Sequence, residues 1–187
     1  MTTVGAVLCG GLSSRMGQDK ASLDLGGRPM GSWVATAMRD AGLARVVALG
    51  GSAELGLEVV ADPPEMAGTG PLAALIAGLR SEGDILVCPC DVPTMTAEAI
   101  GSILRAAHGS DALAVLGFSD QLEPLIGLYR AEALDLLVQR RADGARGPKM
   151  ALRAHEMTTV ALPREVVRNV NTPDDLAAVE VILGARG

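Results

Sequence analysis

The stretch LCGGLSSRMGQDK, from Leu8 to Lys20, places two cations on a short loop behind a pair of glycines. Gly10 and Gly11 close an apolar run, so backbone N–H groups there can turn toward an anion with no Cβ in the way. Arg15 adds a planar fork of donors suited to phosphate oxygens, and Lys20 adds a compact positive charge. In a chain of net charge -6, cations gathered on one loop fit a small anionic ligand. They also fit a tight turn with solvated side chains, and the loop alone does not separate the two readings.

A second loop, CPCDVP, sets Asp91 just beyond the apolar segment Ile85 to Pro89 and before Pro93. A carboxylate held there can bind Mg²⁺ through oxygen, or can cap a turn. Asp62, after the short apolar segment Leu57 to Ala61, has the same double reading. The turn Gly68-Thr69-Gly70-Pro71 has the outline of a dinucleotide fingerprint, but DPPEMA separates its first glycine from the preceding strand. That spacing argues against a dehydrogenase. It leaves Gly70 and Pro71 as a place where bare backbone meets a base or ribose.

Histidine chemistry has little support, because His108 and His155 both lie far from the glycine loops. There is no Walker A motif and no nucleophile elbow. The CxC pair Cys88 and Cys90, even with Cys9, lacks the spacing and ligand number of a zinc site and reads as buried small side chains. A reaction without a histidine base is therefore expected. Nucleotidyl transfer to a phosphate acceptor qualifies: the attacking oxygen is already ionised at neutral pH, so positioning and charge neutralisation carry the catalysis.

These loops need strands to hold them. Thr3 to Cys9, Arg45 to Leu49, Leu57 to Ala61, Ile85 to Pro89, Ala112 to Gly117 and Pro124 to Arg130 read as strands. Helical spacing follows Pro29 as far as Gly42, begins again at Pro71, runs through Ile100, Ile103, Leu104 and Ala107, and covers Ala131 to Ala142. A last helix has Thr172 as N-cap and Pro173 at N1, with Asp174 and Asp175 favouring its dipole, and reaches about Leu183. The alternation predicts an α/β fold: a doubly wound, mostly parallel sheet between two helical layers, as one domain over residues 1–187. In such sheets ligands bind beyond the carboxyl ends of the strands, where the loops after the first strand and after Pro89 would meet. The acidic balance and the 2% aromatic content argue against a nucleic acid polymer, and the apolar runs are too short for a bilayer. Three cysteines without a secretory pattern suggest a cytoplasmic setting.

Four segments together resemble one family. LCGGLSSRMGQDKA, GTGPLAAL, PCDVP and NVNTPDDL are similar, in order, to the motifs of the molybdenum cofactor guanylyltransferases, the MobA-like nucleotidyltransferases. The resemblance implies a Rossmann-like nucleotidyltransferase fold that uses GTP and Mg²⁺. Leu8, Cys9, Gly10 and Gly11 would then line the nucleotide, Arg15 and Lys20 would hold its phosphates, and Asp62 would contact it. Gly70 and Pro71 would lie against it, Asp91 would bind Mg²⁺, and Asn169 and Asn171 would sit near the acceptor or pyrophosphate. Arg15, Lys20 and Asp91 would be the catalytic residues, and the acceptor would be the terminal phosphate of molybdopterin. The resemblance also leaves room for cofactor-delivering or acceptor proteins and for a monomer or weak homo-oligomer. Two departures stand out: Cys9 replaces the family's usual alanine, and Glu123 precedes proline in a substrate-side segment, where it would face an anionic acceptor. A cytidylyltransferase, another small-molecule nucleotidyltransferase and a non-catalytic nucleotide-binding domain are the alternative readings. Arg146 to Lys149 would either grip the acceptor phosphate or end a helix.

Overall fold

The computed structural model describes residues 2–9, 20–51 and 53–185. Its centre is β1, Val4–Leu8, whose five residues are all buried. A strand that is apolar on both faces must be covered on both, and this requirement organises the rest. β2 (Val46–Leu49) and β3 (Glu58–Val60) extend the sheet in parallel on one side. On the other side β4 (Ile85–Pro89) pairs parallel with β1. Beyond it lie β5 (Ala114–Phe118), β6 (Leu122–Tyr129) and β7 (Met157–Ala161), giving the seven-stranded order β3-β2-β1-β4-β6-β5-β7.

Two helical layers close the faces. α1 (Met30–Asp40) and α3 (Ala97–His108) bring Val34, Met38, Ile100 and Ile103 against Val7 and Cys88. On the opposite face α2 (Pro71–Glu82) and α4 (Leu134–Ala142) bring Leu72, Leu75, Ile76 and Leu137 against Ala6, Leu8 and Val87. Neighbouring β1 residues thus serve opposite layers, as the period of a strand requires. A four-residue helix, α5 (Pro148–Ala151), follows α4. The C-terminal α6 (Pro173–Gly184) packs at the N-terminal end of α1 in a small separate cluster, where Val179 and Leu183 meet Val170, Leu25 and Met30. No helix among the described residues is long and apolar enough to cross a membrane.

The expected three-layer α/β architecture is the one observed. Two details differ from the sequence reading. β7 was not anticipated: it is an edge strand with Thr158 and Thr159 exposed, so it lacks the apolar run that marks the inner strands. The helix expected from Ala131 starts as a 3₁₀ turn, Ala131–Ala133, and becomes α-helical at Leu134. Asp84 Oδ1 accepts the Ala131 N–H at 2.8 Å there and fixes the entry from β6. β6 itself is antiparallel to both of its neighbours.

Candidate active site

The carboxyl ends of four parallel strands line up. Val60, Leu49, Leu8 and Pro89 are paired in register across β3, β2, β1 and β4. Pairing continues one residue further: Gly50 donates to Val60 O at 2.9 Å, Cys9 to Leu49 O at 3.0 Å and Cys90 to Leu8 O at 3.0 Å. Asp62 and Asp91 therefore each stand two residues beyond one common row, at its two ends. At the usual strand spacing the two positions are about 15 Å apart, a span that an extended nucleotide can bridge. The strand order reverses between β1 and β4, where open α/β sheets bind ligands. Gly51 closes the row from the β2 side with φ +74°; a Cβ there would lie 2.6 Å from Cys9 Cβ, so backbone packs directly on the tip of β1.

Lys20 starts a 3₁₀ turn, Lys20–Ser22, behind the glycine loop. Its ammonium donates to Asp91 Oδ2 at 3.1 Å, Val170 O at 3.0 Å and Asn171 Oδ1 at 2.7 Å. These three acceptors match the three N–H donors of a lysine. The pair is only partly sheltered, with Lys20 and Asp91 side chains 16% and 21% exposed, so a ligand can reach both. Val170 N–H donates to Asp91 O at 2.8 Å and ties the C-terminal segment to the β4 loop. The expected neighbours Lys20, Asp91 and Asn171 are thus in one cluster, beside Leu8 and Cys9. Gly10, Gly11 and Arg15 lie outside the described residues.

Asp62 forms the opposite end of the row. Burial raises its carboxyl above the ordinary range, while the Gly68 N–H and the Arg141 charge pull it back down. Its Oδ1 is buried without a hydrogen-bond partner among the described residues, an acceptor suited to a ligand hydroxyl or N–H. Arg141 Nη2 donates to Thr69 Oγ1 at 2.6 Å and so reaches the glycine turn from α4. The sequence marks Arg141 only as part of a helix, because a contact across 72 positions leaves no local signal. Gly70 caps α2 with φ +107°, and a Cβ would stand 3.1 Å from Arg146 O. The Arg146 to Lys149 segment therefore meets the turn through its backbone, and Pro148 opens α5.

Asn169 does not join Lys20. It lines a neighbouring open groove of about 830 Å³, together with Ser119, Gln121, Glu123, Arg164 and Arg168. Glu123 accepts a 2.8 Å bond from Ser119 Oγ, and Arg164 pairs with Asp120, so two of the groove's carboxylates have local partners. Cys9, Cys88 and Cys90 all pack in the α1/α3-side core. Burial, reinforced by the Asp91 charge, pushes the Cys88 thiol far up and keeps it neutral.

For a divalent ion, the donor chemistry is compatible. Mg²⁺ characteristically takes one or two carboxylates and completes its shell with substrate phosphates and water, so a single accessible Asp91 is sufficient from the protein side.

Comparison with known proteins identifies the family and the fold. Residues 5–160 match the model of the MobA-like NTP transferase domain. A molybdenum cofactor guanylyltransferase of Cereibacter sphaeroides is 35% identical over 195 residues, covering 98% of each chain. Another, of Xanthomonas euvesicatoria pv. vesicatoria, is 34% identical over 176 residues, covering 91% of this chain and 90% of the relative. Among solved structures, the molybdopterin-guanine dinucleotide biosynthesis protein A of Archaeoglobus fulgidus superposes with a TM-score of 0.77 at 24% identity, covering 98% of this chain and all of the other.

Proposed function

Because the chain belongs to the MobA-like NTP transferase family, a family of nucleotidyltransferases, we propose that it transfers GMP from GTP to the terminal phosphate of molybdopterin and releases pyrophosphate. The observation that carries this reading is the Lys20 ammonium and the Asp91 carboxylate 3.1 Å apart at the tips of β1 and β4. An acceptor phosphate oxygen attacks the α-phosphorus of GTP. The new P–O bond forms as the bond to the bridging oxygen breaks, and pyrophosphate carries away the negative charge. No proton must be moved, which suits a site whose described cluster holds a lysine, a carboxylate and an asparagine amide.

Each residue then has a defined task. Lys20 turns its bond to Val170 O toward the triphosphate, keeps Asn171 Oδ1 as an acceptor and neutralises charge as it develops. Asp91 would hold Mg²⁺, which would supply charge neutralisation at the phosphates. Gly10, Gly11 and Arg15 lie outside the described residues; their backbone N–H groups and guanidinium would serve the same phosphates. The peptide at Leu8 and Cys9 and the bare turn at Gly70 and Pro71 border the nucleoside, and Asp62 Oδ1 accepts from one of its donors. Asn171 stays beside Lys20, while Asn169 leads from the phosphates into the groove, which receives the acceptor's organic body.

Turnover with GTP and with CTP, each in the presence of molybdopterin and Mg²⁺, tests the assignment. GTP is expected to have the larger kcat/KM by at least about 100-fold, the discrimination given by buried hydrogen-bonding groups that the wrong base leaves unpaired. A preference for CTP would make the protein a cytidylyltransferase. Absence of transfer with every nucleoside triphosphate would leave a nucleotide-binding domain without catalysis.

A further inference from the structure

We propose that Asp175 is a positioning residue for the transfer: through the cap of α6 it fixes Asn171, and Asn171 sets the Lys20 ammonium in place. This rests on the reading of Lys20 as a phosphate ligand. Asp175 Oδ2 accepts from Thr172 N–H at 2.9 Å, from Thr172 Oγ1 at 2.8 Å and from Asn171 N–H at 3.1 Å. In return Thr172 Oγ1 accepts the Asp175 N–H at 3.1 Å, completing a capping box. A capping box needs only the N-cap N–H of Thr172. The bond to Asn171, one residue before the cap, adds nothing to the helix. Its effect is to immobilise the residue whose side-chain oxygen takes Lys20 Nζ at 2.7 Å.

The surrounding contacts make this segment a rigid bracket. Val170 is fully buried with Val179 and Leu183 of α6, and its N–H is bound to Asp91 O. Two of the three acceptors around the ammonium therefore come from residues 170 and 171, on a segment stitched to Asp91 on one side and to Asp175 on the other. A lysine head on a flexible four-carbon stem has no preferred orientation of its own, so its acceptors decide where the charge rests. The Thr172 and Asn171 donors also hold the Asp175 carboxyl below its ordinary range, so it stays ionised through neutral pH. Arg168 adds to this electrostatically.

Steady-state kinetics and melting temperatures of Asp175→Ala, Asp175→Glu and Asp174→Ala test the inference. Asp175→Ala is expected to lower kcat about tenfold, the loss of one charge-assisted bond, with KM for GTP changing less than about twofold. Asp175→Glu, whose longer side chain still reaches back across the cap, should recover most of kcat. Asp174→Ala removes the same charge from the same exposed turn and should stay within about twofold of the parent. An unchanged kcat in Asp175→Ala, a change in KM alone, or an equal loss in Asp174→Ala would overturn the positioning role while leaving the assignment of Lys20 intact.

A second readout does not depend on turnover. Asp175 and Lys20 are linked through Asn171, so Asp175→Ala should shift the unfolding equilibrium constant by at least about threefold less in a Lys20→Ala background. Additive effects would contradict the coupling, even if the protein transferred no nucleotide at all.

Discussion

Asp91→Ala should lower kcat by about 10³-fold or more while the protein remains folded. Asp91 is the described carboxylate at the β4 tip beside Lys20, and in the proposed reaction it holds the divalent ion. A bound metal contributes several kcal/mol of transition-state charge stabilisation, and each 1.36 kcal/mol is roughly a factor of ten in rate. The fold is spared for a specific reason. The bond that joins this loop to the C-terminal segment uses the Asp91 carbonyl, which any side chain leaves in place, at 2.8 Å from Val170 N. Lys20 also keeps Val170 O and Asn171 Oδ1 as acceptors. Single-turnover rates with GTP and Mg²⁺, paired with thermal melts, separate the effects. An unchanged rate removes the metal role; a collapsed melting temperature makes Asp91 structural.

Lys20→Ala is expected to lower kcat by roughly 10- to 150-fold, the loss of about 1.5–3 kcal/mol from a charge-assisted bond made in the transition state. The loss belongs in kcat and in kcat/KM together. A rise in KM with kcat intact would mean that Lys20 only binds the ground state. Lys20→Arg should not restore activity. The pocket offers acceptors from Asp91, Val170 and Asn171 around one ammonium, a geometry for a point charge and not for a planar fork. Full activity of the arginine variant would show that any cation suffices there.

The parts of this site that sequence reveals are those with local causes. Ile85 to Pro89 is a run of apolar residues buried from the core outward, so its end, and hence the position of Asp91, follows from composition. Pro29 and Gly42 frame α1 because one fits an N-terminus and the other a positive φ of +95° beyond the C-terminus. Thr172 and Pro173 mark the start of α6 in the same way. Contacts between distant segments have no such mark. Asn171 stands 151 positions from the lysine it holds, and nothing in NVNTPDDL says that Asp175 reaches past the cap to Asn171. Arg141 is likewise an ordinary cation on α4 until the fold lays it against Thr69. β7 stayed hidden because an edge strand needs no continuous apolar run.

A crystal structure of the protein with GTP and Mg²⁺ tests the central claim most directly. The triphosphate should lie across the tips of β1 and β4, with Asp91 on the ion and Lys20 within hydrogen-bond distance of a phosphate oxygen. The nucleoside should extend along the strand-tip row toward Asp62. A triphosphate bound away from the β1 and β4 tips, with Lys20 still closed on Asp91, Val170 and Asn171, would contradict it.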